Sequence, residues 1–297
     1  MTGRFGGVLT AMATPFTESG ALDIDGVVTL ARWLVDHGND GLVVTGTTGE
    51  SPTLSDDEKV TVWRAVREAV TVPVVAGATS NDTAHSIELV RAATEAGVDG
   101  ILAVAPYYNR PPQSGMEGHF RALAAATPLP LLIYDIPIRT GRKVTTETLL
   151  RLARDVPNIV GVKDASGNPA ATAELIAEAP GGFEVYSGDD GLTLPLLAVG
   201  AVGVIGVASH WSGVEHGELL AVWEKGDPAA ARAVNARLLE SFAFETSDLA
   251  PNPIPTKAML RVLGLPAGQC RLPMGPAPAG LEDGARQVLR NLGRTVA

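Results

Sequence analysis

The sequence predicts an α/β protein, a (β/α)8 TIM barrel followed by a C-terminal helical extension, and three observations predict it. Short apolar runs rich in Val, Ile and Leu alternate with longer amphipathic stretches through most of the 297 residues, which is the pattern of βα units. The units recur every ~25–30 residues, as the units of an eight-fold barrel should. The apolar runs are continuous, which marks strands buried on both faces, as in a parallel sheet covered by helices. An open doubly wound sheet is the runner-up on the same pattern.

The first candidate strand, residues 8–13, leads to a helix over 25–36. The next units pair strands at 41–45, 73–78 and 100–105 with helices at 55–70, 83–95 and 116–125. Strands at 131–135, 159–163 and 183–187 are followed by helices at 145–153, 169–178 and 192–199, and residues 202–207 form the eighth strand. Several helices open on Ser, Thr or Asp, whose side chains accept from the free N–H groups of a first turn. Beyond residue 207 the strand signal stops, and 215–225, 229–244, 255–263 and 281–292 read as helices. Two units are expected, a catalytic barrel over 1–226 and a helical domain over 227–297. Residues 250–255 and the Pro/Gly-rich 273–280 serve as connectors.

Composition bounds the function. With 45% hydrophobic and 19% charged residues the chain can bury a sizeable core. A net charge of -10 without a basic run excludes a nucleic-acid partner, which needs clustered Lys and Arg against phosphates. Cys270 is the single cysteine and cannot close an intrachain disulfide. Residues 1–7 lack the pattern of a signal peptide, and Gly, Pro or a charge interrupts every apolar run before the roughly 18 residues of a membrane span. The expectation is a cytoplasmic protein with no membrane partner. The five histidines form no close pair, so no metal is predicted. Neither a Gly-Lys-Ser/Thr loop nor a Gly-x-Gly-x-x-Gly after a strand is present, so no nucleotide cofactor is expected.

A barrel works at the C-terminal ends of its strands, which narrows the polar candidates. Lys163 ends the sixth apolar run and shares side-chain parity with Ile159 and Gly161. If that face points inward, Gly161 leaves space beneath the ammonium, and a desolvated lysine becomes an amine nucleophile toward a carbonyl. On the residues alone, a strand-end lysine that snorkels to solvent or pairs with Asp164 is the commoner outcome. The turn from Thr45 to Ser51 offers hydroxyls and free N–H groups between strand and helix, a cradle for a carboxylate. It equally suits a tight turn in which Ser51 or Thr53 caps a helix. Tyr134 can pass protons or simply pack in the core. Arg139 can clamp a carboxylate through two hydrogen bonds or make a solvated ion pair.

Together these segments resemble the dihydrodipicolinate synthase / N-acetylneuraminate lyase family of pyruvate-dependent aldolases. The resemblance runs in order from Leu9-Thr10-Ala11-Met12-Ala13-Thr14-Pro15-Phe16 through Gly46-Thr47-Thr48-Gly49-Glu50-Ser51 and Pro106-Tyr107-Tyr108-Asn109-Arg110-Pro111. It continues through Tyr134-Asp135-Ile136-Pro137, Gly161-Val162-Lys163-Asp164 and Ser187-Gly188-Asp189-Asp190. Near the C-terminus it includes Pro251-Asn252-Pro253-Ile254-Pro255-Thr256-Lys257 and Arg271-Leu272-Pro273-Met274. It implies that Lys163 holds pyruvate as a Schiff base, without a separate cofactor, and that the derived enamine attacks aspartate semialdehyde. Residues matching Thr47, Tyr134 and Tyr108 would form the proton relay, with Tyr108 reaching in from a neighbouring subunit of a homotetramer. Thr47 and Thr48 would hold the pyruvate carboxylate, Gly188 and Ile205 would line the pocket through their backbone, and Arg139 would receive the second substrate.

The Arg139-Thr140-Gly141 signature resembles the synthases rather than the sialate lyases and sugar-acid aldolases, which form the alternative reading. Two departures stand out: Asp135 follows the relay tyrosine where Asn is frequent, and Asp164 follows the lysine where Glu is frequent. Carrying over the inhibitory cleft of the lysine-sensitive members gives Ser51, Pro52, Asp56, Lys59, Asn81, His85 and Tyr107. Lys59 and His85 stand where sensitive members carry His and Glu, so weak or no inhibition by lysine is expected.

Overall fold

The protein is described by a computed structural model over residues 3–294; residues 1–2 and 295–297, the ends of the two expected units, lie outside the described residues. Eight strands close into a parallel barrel in sequence order, β8 returning to β1. They are β1 Val8–Ala11, β2 Gly41–Val44, β3 Val74–Gly77, β4 Gly100–Val104, β5 Leu131–Asp135, β6 Ile159–Asp164, β7 Glu184–Ser187 and β8 Gly203–Gly206. The runner-up open sheet is thereby excluded. Around them lie α1 Ile24–Asp36, α2 Asp56–Ala69, α3 Thr83–Glu95, α4 Gln113–Ala125, α5 Pro137–Thr140, α6 Thr146–Asp155, α7 Pro169–Glu178 and α8 Thr193–Val199. The chain ends in α9 Ser209–Glu224, α10 Pro228–Phe244, α11 Ile254–Val262 and α12 Leu281–Asn291.

Local chemistry fixes where these helices begin. Asp23, Asp82 and Asp227 accept from first-turn N–H groups of α1, α3 and α10. Ser55 and Glu58 close a reciprocal capping box on α2, satisfying two otherwise orphaned donors. Along the strands the side chains alternate between two cores. Leu42, Val44, Val74, Ala76, Ile101 and Ile133 face the helices, whereas Leu9, Val43, Val75, Leu102, Leu132 and Ile205 fill the barrel. Phe5 plugs the bottom beneath Tyr186, whose hydroxyl accepts from the Phe5 N–H at 3.3 Å and donates to Glu184 at 3.2 Å.

Three sequence expectations change. Strand β6 carries an irregularity opposite Leu131 and Leu132, so parity does not run from Ile159 to Lys163. Ile159 faces the helices while Val160 packs on the barrel interior. Gly161 does not leave free space either, because a Cβ there would meet the Glu184 carbonyl oxygen at 2.2 Å and Leu132 Cδ2 at 3.0 Å. Its role is close strand approach. Helix α9 begins at Ser209, six residues before the expected 215, and bends at Ser212, whose hydroxyl donates to the Ala208 carbonyl at 2.7 Å. The polar and Gly residues of this turn hid it, although Gly213 is required by its contact with the His37 carbonyl, 2.5 Å from a would-be Cβ. Finally, the four-residue α5 is too short for any 3.6-residue period to register.

Candidate active site

The turn after β2 is held in shape from below and behind. Thr45 has φ 54°, and its hydroxyl donates to the Gly77 carbonyl at 3.1 Å while accepting from the Trp63 indole at 2.7 Å. Glu50, also at positive φ, is buried. Its carboxylate accepts from the Arg271 N–H at 2.8 Å and pairs with buried Lys257 at 2.6 Å, whose ammonium lies 3.9 Å from the Phe16 ring centre. Thr48 accepts from the Asn252 amide at 2.9 Å. The C-terminal segment thus clamps the turn that presents Thr47 and Thr48.

Lys163 projects from the end of β6 into the barrel mouth, only 4% exposed, with its ammonium 4.4 Å from the Tyr134 ring centre. Burial pulls it from 10.5 to about 8, reinforced by Arg139 and opposed by Asp190. The simple pairing with Asp164 does not occur. The Asp164 carboxylate instead accepts from the Ser166 N–H at 2.8 Å and the Thr172 hydroxyl at 2.5 Å. Gly188 makes room for the lysine, since a Cβ there would lie 2.9 Å from Lys163 Cγ.

A cavity of about 340 Å³ opens over this amine and brings together Lys163, Tyr134, Thr47, Thr48, Arg139 and Gly188. A smaller cavity of about 210 Å³ adjoins it, sharing Thr47, Tyr134 and Arg139 and reaching Tyr107. Burial pushes the Tyr134 phenol up, with Arg139 opposing, so it stays protonated and available as a donor. Arg139 is carried by α5 and donates to the Asn252 carbonyl at 3.4 Å. The two departures face away from the cavity. Asp135 is buried against Lys143 at 2.8 Å and accepts from the Val144 N–H at 3.1 Å, anchoring the segment that carries α5. Asp164 ties β6 to α7.

Two candidates do not join this cluster. Tyr108, at φ 70°, is 90% exposed and does not line its own chain's cavity. Ile205 is packed in the barrel interior, and Val207, two residues on, borders the cavity instead. Sequence reading also missed polar residues that do border it, Glu245 and Asn252, and gave bordering Asp189 no role of its own. Asn252 lies in the stretch 250–255 expected only as a connector, and the resemblance gave it no role. Behind them Asp190 and His216 pair at 3.1 Å in full burial. Among the described residues no three His, Cys, Asp or Glu side chains gather as a metal site, and no helix is long and apolar enough to cross a membrane.

The model of the dihydrodipicolinate synthetase family matches residues 4–291. A 4-hydroxy-tetrahydrodipicolinate synthase of Moorella thermoacetica is 48% identical, over 98% of this chain and 99% of its own. One from Acidothermus cellulolyticus is 51% identical, covering 93% and 88%. Among solved structures, a dihydrodipicolinate synthase from Cyanidioschyzon merolae with lysine bound superposes with a TM-score of 0.95 at 43% identity, covering 98% of this chain and 99% of that one.

Proposed function

Because this chain belongs to the dihydrodipicolinate synthetase family, we propose that it condenses pyruvate with L-aspartate 4-semialdehyde to 4-hydroxy-tetrahydrodipicolinate, a lyase of lysine and diaminopimelate biosynthesis. The names of its relatives do not favour a sugar acid as second substrate. The observation that carries the reading is Lys163, a desolvated amine in the mouth of a barrel, lying over Tyr134. Its neutral form attacks the pyruvate carbonyl carbon, and loss of water leaves an iminium that needs no separate cofactor to act as electron sink. Loss of a methyl proton gives an enamine, whose carbon bonds to the aldehyde carbon as the aldehyde oxygen takes up a proton; the semialdehyde's own amino group then displaces Lys163 from the imine carbon, closing the ring and freeing the amine.

These steps move protons, and Tyr134 and Thr47 border the amine's cavity within a relay completed by Tyr108 of a second subunit. Thr47, Thr48 and the backbone at Gly188 receive the pyruvate end, with Ile205 packed beneath. Arg139 takes the semialdehyde carboxylate. The exposure of Tyr108 supports a homotetramer, a dimer of dimers in which this ring is covered. The reading includes a cytoplasmic location, which cell fractionation checks. Turnover is tested by coupling product formation to a reductase. Consumption of aspartate semialdehyde dependent on pyruvate is expected, and activity only with sugar acids would overturn the assignment.

A further inference from the structure

The cavity around Lys163 is bordered by carboxyl groups that its anionic substrates should avoid, unless one of them carries no charge. Glu245, just past α10, and Asp189 both line it. The Glu245 carboxyl lies beside that of Asp190, close enough for the two to share a hydrogen bond. Its oxygen Oε2 is buried and has no donor of its own. Asp190, by contrast, has a donor at each oxygen. It accepts from the Val207 N–H at 2.7 Å and from the His216 ring at 3.1 Å. Gly206 permits this approach, because a Cβ there would meet Asp190 Oδ1 at 2.4 Å. Two adjacent buried carboxylates cannot both ionise cheaply, and an unpartnered carboxylate oxygen is costly.

We propose that Glu245 stands in the cavity as a neutral carboxylic acid whose O–H donates to the Asp190 carboxylate, and that this neutrality is what admits the carboxylate of the keto acid beside Lys163. Glu245 is a positioning residue in this scheme and supplies no atom to the reaction. The surroundings agree in sign. Burial and the charges of Asp190 and Asp189 raise Glu245 well above the usual carboxylate range. Burial opposes ionisation of Asp190, yet its contacts with His216, Val207 and Glu245 outweigh it and hold it low. Burial opposes the His216 cation, and Asp190 outweighs it. The other charged and titratable groups around Glu245 are Lys163 on β6, Arg139 on α5 and Tyr134 on β5. With Glu245 protonated, a His216 cation offsets Asp190; with Glu245 ionised, a net negative charge faces the incoming anion.

The inference rests on pyruvate binding at Lys163, so the test reads that event directly. The pyruvate concentration giving half-maximal borohydride-trapped adduct is measured from neutral to strongly alkaline pH in the wild type and in Glu245→Gln, which keeps an N–H donor for Asp190. At neutral pH the two should agree within about twofold. In alkaline solution the wild-type value should climb about tenfold above that of Glu245→Gln, as expected for a unit charge brought near a bound carboxylate, the change due to Lys163 being common to both. A tenfold loss in Glu245→Gln at neutral pH, or superimposable profiles, would overturn the proposal. So would a wild-type profile without an alkaline rise, even if the variant fails to fold. Absence of any adduct in the wild type would instead sink the Schiff-base reading itself, a distinct outcome.

Discussion

Glycine 188 shows how much of this site is decided by single side chains. An added methyl would sit 2.9 Å from Lys163 Cγ and 3.0 Å from the Ala165 methyl, pushing the amine off its line. Misplacement by about an ångström costs on the order of a hundredfold, so Gly188→Ala should lower the rate of adduct formation by about that factor. Unchanged trapping would show that the lysine has slack. Since burial brings Lys163 to about 8, its nucleophilic neutral form is scarce in acid and gains as pH rises. Imine formation at saturating pyruvate should therefore increase with pH up to about 8 and then level; a midpoint near that of free lysine would mean the amine is solvated. Tyr134→Phe removes one hydroxyl from a packed ring. It should slow turnover by about a hundredfold or more while leaving the melting temperature nearly unchanged, measured by kinetics and calorimetry in parallel.

At the scale of elements, the turn after β2 depends on a segment more than two hundred residues away. Glu50→Ala would strand the buried Lys257 ammonium, now paired at 2.6 Å. Breaking such a pair costs about 3–5 kcal/mol, which denaturant unfolding would detect. Loss below about 1 kcal/mol would show that water or the Gln269 carbonyl, 3.2 Å from Lys257, replaces the carboxylate. The face between α2 and α3 bears on lysine sensitivity. Asp56 is already shared between Lys59 at 3.1 Å and His85 at 2.8 Å, so its carboxylate is not free for an ammonium ligand. Half-inhibition by lysine below about a millimolar, which needs roughly 4 kcal/mol of binding, would contradict this.

Across the whole molecule, the eight strands were legible because continuous apolar runs recur at barrel spacing, and Lys163, Tyr134, Thr47, Thr48, Arg139 and Gly188 converge in one cavity. What stayed hidden has physical causes. The bulge in β6 leaves no compositional mark, and the Glu50–Lys257 and Asp190–His216 pairs join residues distant in sequence. A bent helix start at Ser209–Ser212 breaks the hydrophobic period. Tyr108 belongs to this scale as well, since in the proposed relay its exposed ring enters the site of a second subunit. Sedimentation should find a tetramer, and a fully active monomer would remove Tyr108 from the relay.

The central claim is that pyruvate becomes covalently bound to Lys163, and peptide mass mapping after borohydride reduction tests it most directly. One pyruvyl group retained as a secondary amine on Lys163, and none on Lys163→Ala, is the predicted result; an adduct on another lysine, or on none, would contradict it.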